Sequence, residues 1–234
     1  MSTRYAIYFA PDKPSPWWRL GAHWLGRDEH DNAPLPQPGI PDMPGIPAPS
    51  LASITTHPRR YGFHATLKAP FRLSAGHQEQ DLMARLGQLA RTLAPSPLGP
   101  MQVTRLDSFV ALAPVAQTSA VNAIEAACVT QLDDLRAPLT PAELARRNPD
   151  QLDAHEAELL ARYGYPHVLD RFRLHMTLTD PVDADTANAV IAALAPEVNR
   201  LNQTDPLVLD RLCLFVEREP GANFQRLLDV RLPS

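Results

Sequence analysis

Two short stretches of the chain carry the same chemically active side chains in the same order. His64 is followed two positions later by Thr66, and His175 is followed in the same way by Thr177. Histidine has an unperturbed pKa of about 6.5, so it can act as a base and as an acid near neutral pH. A hydroxyl two positions away can donate a hydrogen bond to developing negative charge. The pattern therefore favours acid–base chemistry.

Both stretches alternate with the period of two that is typical of a β-strand, in which every second side chain shares a face. One face of residues 60–68 and of residues 171–179 is apolar, which predicts contact with a core. The opposite faces read Arg60, Gly62, His64, Thr66 and Lys68 in the first stretch, and Arg171, Arg173, His175, Thr177 and Thr179 in the second. An ordinary half-buried strand needs only polar side chains on its outer face. Cations, an imidazole and a hydroxyl in the same order twice indicate a shared function.

The structural alternative is that His64 and His175 are polar positions on the outer faces of two similar strands. The bare pattern is weak, because 8 histidines and 13 threonines in 234 residues give about 0.4 chance matches. Either histidine alone is explained in this way. Their matching apolar neighbours and cations, taken together, favour the functional interpretation. The other six histidines lack this context, and we interpret them as surface or structural residues; His167 and Tyr165, just ahead of the second stretch, are also candidates for its rim.

The first elements expected to position these stretches are N-terminal. Residues 4–10 are aromatic and β-rich, which predicts a strand. Ser15 and Pro16 have the residue types of a helix N-cap and a first helical position, so a helix follows. Seven prolines between residues 32 and 49 exclude regular structure and predict an extended loop. That loop is either a lid over the site or a surface excursion.

The same series of elements follows each His-x-Thr stretch. Apolar spacing predicts an amphipathic helix at 78–93 and another at 185–201. Strands are predicted behind them at 103–112 and 207–216, and both contain the pattern Arg-Leu-x-x-Phe-Val. Two matched sets in the same order indicate an internal duplication. A final strand at 224–232 is expected to pair with the strand before it.

These elements predict a single domain, residues 1–234, that contains two lobes. The N-terminal strand and residues 50–115 make the first lobe, and residues 168–234 make the second. Between the lobes, residues 117–163 are interpreted as a helical insertion. Its three helical patterns lie at 119–135, 141–147 and 149–163.

The composition is that of a globular protein, with 44% apolar residues and a formal net charge of −4. This charge gives no general attraction to a polyanion, so binding of long nucleic acid is disfavoured, while a local basic pocket is still compatible with it. No apolar run approaches the roughly 20 residues of a membrane span, and the start of the chain lacks a signal-peptide core. We therefore expect a cytoplasmic protein without membrane contact. The sequence leaves its oligomeric state open.

Cysteine and metal chemistry are not favoured. Cys128 and Cys213 lie in apolar contexts without C-x-x-C spacing, which predicts buried, reduced thiols. No set of His, Asp or Glu residues has recognisable metal-ligand spacing. We expect neither a metal nor a cofactor.

The paired His-x-Thr strands, about 110 residues apart in a chain of this size, resemble the two-histidine (2H, RNA-ligase-like) phosphoesterase superfamily. The sequence of residues 60–70 further resembles a bacterial branch of this superfamily that is associated with phosphonate-metabolism operons. It reads Arg-Tyr-Gly-Phe-His-Ala-Thr-Leu-Lys-Ala-Pro. The resemblance covers the whole chain, although the motifs themselves cover only two strands. It implies a bilobal α+β fold in which two antiparallel sheets face a central cleft, with helices on the outside. It also implies hydrolysis of a cyclic phosphodiester without a metal.

Carried over position by position, the resemblance makes His64 and His175 the catalytic pair, and Thr66 and Thr177 phosphate ligands. Opening a cyclic phosphate requires water to lose a proton while a ring oxygen gains one. Two imidazoles on opposite sides of the phosphorus can do both, and which one is the base is left open. Arg173 is the first choice for a phosphate-binding cation, because it shares a face with His175 and can fork onto phosphate oxygens.

Four further residues are candidates for the cleft: Lys68, Arg171, Arg60 and Tyr8. For Arg60 and Arg171, a solvated cation at a strand end is an equally good explanation. For Tyr8, packing in the core explains the residue as well as a place in the cleft does.

Three functions are consistent with these residues. The first is a metal-independent cyclic phosphodiesterase that acts on a small phosphorylated sugar or nucleotide, with a ribose cyclic phosphate in phosphonate catabolism as one example. The second is a phosphodiesterase for RNA 2′,3′-cyclic ends, which the acidic net charge restricts to short oligonucleotides. The third is a non-catalytic module that binds a phosphate ligand. Hydrolysis of cyclic phosphates in EDTA, and its loss when either histidine is replaced, separates the enzymes from the module.

Overall fold

A computed structural model describes residues 3–38 and 50–233 of the chain. The described strands are β1 (Arg4–Phe9), β2 (Ala65–Phe71), β3 (Ser96–Pro97), β4 (Met101–Leu106), β5 (Phe109–Pro114), β6 (Met176–Thr177), β7 (Val208–Leu209), β8 (Arg211–Glu217) and β9 (Gln225–Arg231). The described helices are α1 (Pro16–Leu25), α2 (Ser50–Ile54), α3 (Thr56–Tyr61), α4 (Glu79–Ala90), α5 (Ser119–Gln131), α6 (Pro141–Ala145), α7 (Ala154–Tyr163) and α8 (Ala184–Thr204). None of these described helices combines the length and the apolar character that crossing a bilayer requires.

Seven of the strands form one sheet in the order β4-β5-β6-β2-β1-β8-β9, and every neighbouring pair is antiparallel. The short strands β3 and β7 form a separate two-stranded sheet. The predicted α+β class is confirmed. Strands that were expected in two facing sheets are joined in one, because Ala65 in β2 pairs with Met176 in β6. The internal duplication and the division into lobes stay predictions.

The central strand β1 is covered on both faces of the sheet. Ile7 and its alternate neighbours belong to the main hydrophobic core, which also contains the apolar sides of α4, α5 and α8. Ala6 and Tyr8, which point the other way, belong to a smaller cluster with Phe215 and Phe224. A strand that is apolar on both faces is stable only when both faces are buried. This burial makes β1 a firm support for the strands on either side of it.

Most of the predicted elements are present. The N-terminal strand is β1 and the helix after it is α1, where Ser15 Oγ caps the helix by accepting the N–H of Trp18 at 3.1 Å. The two amphipathic helices are α4 and α8, and α8 continues through Pro196. The insertion contains α5, α6 and α7, and Thr140 forms a capping box with Glu143 at the start of α6. The last strand, β9, pairs with β8 as predicted, and both cysteines are buried and unpaired.

Two predicted strands are each divided in two. Residues 103–112 contain a hairpin, because the chain turns between β4 and β5 at Asp107, which has a φ of +51°. Aspartate tolerates this left-handed backbone better than most residues. Residues 207–216 are divided between β7 and β8, which belong to different sheets. An apolar run shows that a segment is buried but does not show where it turns.

The first His-x-Thr stretch is a shorter strand than predicted. Arg60 lies in α3, and β2 begins only at Ala65. Between them Gly62 has a φ of +84°, and a Cβ at this position would lie 2.8 Å from the Cβ of Glu29. Only glycine fits this backbone. The prediction that Arg60 and His64 share one strand face is therefore wrong.

The second stretch differs from the prediction in a similar way. Leu169–Arg171 form a 3₁₀ turn, and β6 contains only Met176 and Thr177. Arg171 therefore lies in this turn and not on a strand with Thr177, as the period-two pattern had predicted.

The proline-rich stretch is described as far as Pro38. Within it, Gln37 Nε2 donates to the carbonyl of Trp24 at 2.7 Å, and Pro34 forms an isolated bridge with Arg27. Residues 39–49 lie outside the described residues, so the choice between a lid and a surface excursion stays open.

Candidate active site

The pairing of Ala65 with Met176 brings the two His-x-Thr motifs side by side. Both of these residues are fully buried in the core. In an antiparallel pair, the residues before and after such a contact lie opposite each other on the other face of the sheet. Continued by one residue in each direction, this register puts the position of each histidine opposite that of the other motif's threonine, and such neighbours typically have Cβ atoms about 4.5–5.5 Å apart. The four half-buried side chains are His64, Thr66, His175 and Thr177.

The ring of His64 has contacts on three sides. Its Nδ1 lies 2.9 Å from the carbonyl oxygen of Gly62, and its Nε2 lies 3.2 Å from Thr66 Oγ1. The ring of Tyr8 stacks on it with 3.7 Å between the centroids. Because a carbonyl oxygen can only accept, Nδ1 carries the proton of the neutral ring, and Nε2 accepts from the Thr66 hydroxyl. The basic nitrogen of His64 is thus Nε2.

His175 repeats this arrangement. Its Nδ1 lies 2.8 Å from the carbonyl oxygen of Arg173, which is two residues earlier, as Gly62 is for His64. The ring of Phe109 lies beside it, with 5.7 Å between the centroids. The same argument places the proton on Nδ1 and leaves Nε2 free to accept. Both imidazoles therefore have the same neutral tautomer.

Burial lowers the pKa of His64 to about 4, although the bond to the Gly62 carbonyl raises it, and the neighbouring His175 lowers it further. Burial also lowers the pKa of His175, against the effect of the Arg173 carbonyl, and His167 adds to the decrease. Both rings are therefore neutral at pH 7 in the free protein. A bound anion stabilises imidazolium and raises these pKa values, so a phosphate ligand would favour protonation of one ring.

A cavity of about 650 Å³ opens beside the two motifs. Its wall includes Thr66 and His175, so two of the four motif side chains line it directly. His64 adjoins the cavity through its hydrogen bond to Thr66. The remaining wall combines aromatic side chains with arginines and four carboxylates, which suits a polar ligand with both charged and hydroxyl groups.

Arg173 is a cation in the cavity wall that has no partner among the described residues. It is exposed, and its guanidinium makes no hydrogen bond or ion pair with any of the described residues. Arg171 lines the same wall, but its Nη2 donates to Asp153 Oδ2 at 2.6 Å. Of these two, Arg173 is the one able to bind an anion without losing an existing ion pair.

Arg60 and Lys68 have structural partners. Arg60 forms an ion pair with Glu217 and donates to the carbonyl of Ala222 at 2.9 Å. Lys68 is buried and donates to Asp133 Oδ1 at 3.0 Å. Neither residue lies in the wall of the described cavity. Their contacts connect distant segments of the chain, so we leave both out of the proposed site.

Glu125 is a buried carboxylate in the cavity wall that the motif spacing does not identify. It lies on α5 and accepts the N–H of Leu169 at 3.1 Å. Burial raises the pKa of Glu125 to about 7. Its spacing of four residues from Val121 and three from Cys128, both buried, could have revealed it, because that spacing puts the carboxylate on the inward face of the helix.

One group of carboxylates and histidine among the described residues has the spacing to hold a metal ion, and it contains Asp28, Glu29 and His30. None of the three lies in the cavity wall. Asp28 is paired with Lys13, and Glu29 is paired with Arg226. Because cations already balance both carboxylates, we assign no metal to this group.

Comparison with known proteins finds two curated relatives with the same name. "Ribose 1,5-bisphosphate phosphokinase PhnN" of Janthinobacterium sp. (strain Marseille) is 41% identical over 229 residues, covering 95% of this chain and 49% of the relative. The protein of that name from Laribacter hongkongensis (strain HLHK9) is 39% identical over 223 residues, covering 95% of this chain and 50% of the relative. The chain thus spans about half the length of the curated relatives it matches.

A family model also matches, over residues 66–225. This range starts at Thr66 in the first motif, contains the whole second motif, and covers well over half of the chain. The chain therefore belongs to the family described as "Protein of unknown function (DUF1045)".

Proposed function

We propose that this chain is a cyclic phosphodiesterase of the 2H type, in which His64 and His175 exchange protons with a cyclic phosphate. The register between β2 and β6 carries the proposal, because it sets the imidazole of each motif across from the hydroxyl of the other. The hydrogen bonds at Nδ1 make Nε2 the proton-exchanging atom of both rings, and ring opening needs one of these rings neutral, as the base, and the other protonated, as the acid.

In the proposed reaction, the phosphate lies between the two rings. The Nε2 of one neutral imidazole takes a proton from water, and the water oxygen forms a new bond to phosphorus. The bond from phosphorus to one ring oxygen breaks, and the other imidazole, in its protonated form, gives that oxygen a proton. The product is a phosphomonoester with a free hydroxyl. Each of the two proton transfers is typically worth about 10²–10⁴-fold in rate.

Arg173 is proposed to bind the non-bridging phosphate oxygens, because its guanidinium lies in the wall without a partner among the described residues. The hydroxyl of Thr177 lies on the same sheet face as the histidines and would donate to those oxygens as charge develops, and the hydroxyl of Thr66 would do so once substrate binding turns it away from His64 Nε2. The bound anion would also raise the low pKa of the histidine that acts as acid. Catalysis without a metal is part of this proposal.

The names of the relatives support a phosphorylated ribose as the substrate class. Both names contain a ribose bisphosphate, and PhnN is a name of phosphonate metabolism, in agreement with the branch that residues 60–70 resemble. We therefore propose a cyclic phosphate of ribose, or of a closely related sugar or nucleotide, as the natural substrate.

The kinase activity in those names is not proposed for this chain. The sequence contains no G-x-x-x-x-G-K-[ST] pattern of the kind that holds nucleotide phosphates, and the nearest spacing, Gly21 to Gly26, is followed by Arg27 and begins inside α1. The chain matches only about half of each relative. The kinase function of those proteins can therefore belong to the half that is not compared.

The test is a panel of cyclic phosphates offered to the purified protein in EDTA, with products followed by ³¹P NMR. The panel contains ribose 1,2-cyclic phosphate, ribonucleoside 2′,3′-cyclic phosphates and short RNAs with 2′,3′-cyclic ends. We expect ring opening by the wild type and a loss of at least about 10²-fold in His64→Ala and in His175→Ala. His77→Ala is the matched control, because His77 is exposed and its ring contacts Ser74 outside the cavity.

Two results would contradict the proposal. Binding of a cyclic phosphate without turnover, in the wild type and in both histidine variants, would indicate a phosphate-binding module. Transfer of a phosphoryl group from ATP to ribose 1,5-bisphosphate by this chain would indicate that the name of the relatives applies to it directly.

A further inference from the structure

The strand that carries the second motif begins late, only at Met176, and the end of its neighbour β5 explains why. β6 pairs with β5 at Thr177–Ala111 and at Met176–Leu112. Continuing this register places Leu174 opposite Pro114, the last residue of β5. Proline has no N–H to donate, so the ladder cannot continue in its usual form at this point.

The side chain of Gln117 makes backbone hydrogen bonds where the strand pairing stops. Gln117 Oε1 accepts the N–H of Leu174 at 2.6 Å, and Gln117 Nε2 donates to the carbonyl of Phe172 at 3.2 Å. These two bonds lie on either side of Arg173 and have the donor and acceptor pattern that a paired strand would provide. Asn122 Oδ1 accepts a further bond from Nε2. Because the Leu174 N–H can only donate and the Phe172 carbonyl can only accept, these two backbone groups fix which way the amide points.

Arg173, which lies between these two bonds, contributes its backbone carbonyl and its guanidinium to the proposed site. The carbonyl of Arg173 accepts the proton of His175 Nδ1 at 2.8 Å, which sets the tautomer of that ring. The guanidinium of Arg173 lies unpaired, among the described residues, in the cavity wall. A shift of the Arg173 backbone would therefore displace the imidazole and the phosphate-binding cation together.

We propose that Gln117 is a positioning residue, which holds the backbone of Arg173 so that His175 keeps its orientation and tautomer. The inference rests on the proposed function, since it concerns the histidine and the arginine of that reaction. Gln117 lies outside both His-x-Thr motifs, and it would orient the histidine of the second motif.

Other contacts hold the same segment, so loss of the Gln117 amide is a local change. Glu125 accepts the N–H of Leu169, and Asp153 accepts a bond from Arg171. Gln117 itself is only partly buried and lies before the start of α5. A variant at this position can therefore fold while the stretch between Phe172 and Leu174 becomes less ordered.

The test compares Gln117→Ala and Gln117→Glu with the wild type and with Gln131→Ala. Gln131 is a matched control because it is exposed and its side chain makes no hydrogen bond to the described residues. We expect Gln117→Ala to lower kcat by about 10–100-fold, since a misplacement of about 1 Å can cost about 10²-fold. We expect a smaller loss in Gln117→Glu, because the carboxylate still accepts the N–H of Leu174.

A second readout does not depend on turnover. In ¹⁵N NMR of protein labelled at histidine, His175 is assigned by its absence in His175→Ala. The wild type should show a single tautomer protonated at Nδ1, and Gln117→Ala should show a mixture of tautomers and a pKa of His175 lowered further, because the Arg173 carbonyl that raises it becomes mobile.

Wild-type kcat and an unchanged His175 spectrum in folded Gln117→Ala would overturn the inference. If the wild type hydrolyses no cyclic phosphate, the proposed function fails, while the tautomer measurement still decides whether Gln117 orients His175. If Gln117→Ala does not fold, Gln117→Glu decides by the same two measurements.

Discussion

The rings of Tyr8 and His64 lie nearly parallel, with centroids 3.7 Å apart and 23° between the planes. Tyr8 is on β1, directly across from Thr66 on β2, so the register between neighbouring strands brings the phenol ring to the histidine. The stack covers one face of the imidazole and contributes to the burial that lowers its pKa. Tyr8 thus packs in the aromatic cluster and also contacts His64, while a place for it in the site stays a prediction.

Replacing Tyr8 should separate the effect of its ring from that of its hydroxyl. In Tyr8→Ala we expect the pKa of His64 to rise from about 4 toward its ordinary value, because water reaches the exposed face of the ring. We also expect a loss of about 3–5 kcal/mol in the free energy of unfolding, as for other large aromatic residues replaced by alanine. NMR titration and urea unfolding measure the two effects.

The matched control is Tyr8→Phe, which keeps the stacked ring. The Tyr8 hydroxyl makes no hydrogen bond to the described residues, so its removal should leave the pKa of His64 unchanged. A Tyr8→Phe variant that titrates like Tyr8→Ala would show that the hydroxyl, and not the ring, sets the pKa.

The low pKa of His64 should make stability fall in acid. The folded-state pKa of about 4 lies below the ordinary value of 6.5, so protons bind more tightly to the unfolded chain. The contribution of neutral His64 to the free energy of unfolding is therefore complete above pH 6.5, and it is lost as the pH falls toward 4. Between pH 7 and pH 5 we expect the wild type to lose about 1–2 kcal/mol more than His64→Gln in urea unfolding, a figure reduced because the ring is partly exposed. If the free energies of unfolding of the two proteins changed by the same amount with pH, the lowered pKa of His64 would be contradicted.

Glu125 should have the opposite pH dependence. Its folded-state pKa of about 7 lies above the ordinary value of 4.5. The contribution of protonated Glu125 to the free energy of unfolding is therefore complete below pH 4.5 and is lost as the pH rises through 7. Between pH 5 and pH 8 we expect the wild type to lose about 2.5 kcal/mol relative to Glu125→Gln, whose amide oxygen can still accept the N–H of Leu169. Urea unfolding at the two pH values measures this difference.

Removing Arg173 should weaken substrate binding more than removing Arg171. We expect Arg173→Ala to lower kcat/KM by about 10–100-fold, because a charge-assisted contact to phosphate is worth about 1.5–3 kcal/mol. Arg171→Ala should have a smaller effect, since its guanidinium is already paired with Asp153. Steady-state kinetics on the best substrate of the panel measures both. Equal losses in the two variants would mean that Arg173 has no special role.

The period-two pattern predicted the part of each motif that touches the core, and it failed outside that part. Ala65 and Met176 are buried as predicted, since strand alternation depends only on neighbouring residues. The pattern extended too far at Arg60, because helix α3 and the positive φ of Gly62 interrupt it. The turn at Asp107 was missed for a related reason, since neither Asp107 nor the residue after it is a glycine.

The residues that support the site were harder to predict than the motifs. Gln117 and Glu125 accept hydrogen bonds from residues 57 and 44 positions away, and no local pattern links such pairs. The register between β2 and β6 is also a long-range property of the fold. Sequence spacing could therefore identify the two histidines but not the contacts that orient His175.

The contact between Ala65 and Met176 closes a loop of more than 100 residues with a strand that is only two residues long. Closing a loop of this length costs entropy before the contact is gained, so we expect this pairing to form late in folding and to be among the first to open. Partial opening at β6 would separate the two imidazoles while the rest of the sheet stays intact. Loss of activity on mild heating or in dilute urea would then precede unfolding of the chain, and ligand that bridges both motifs would suppress it.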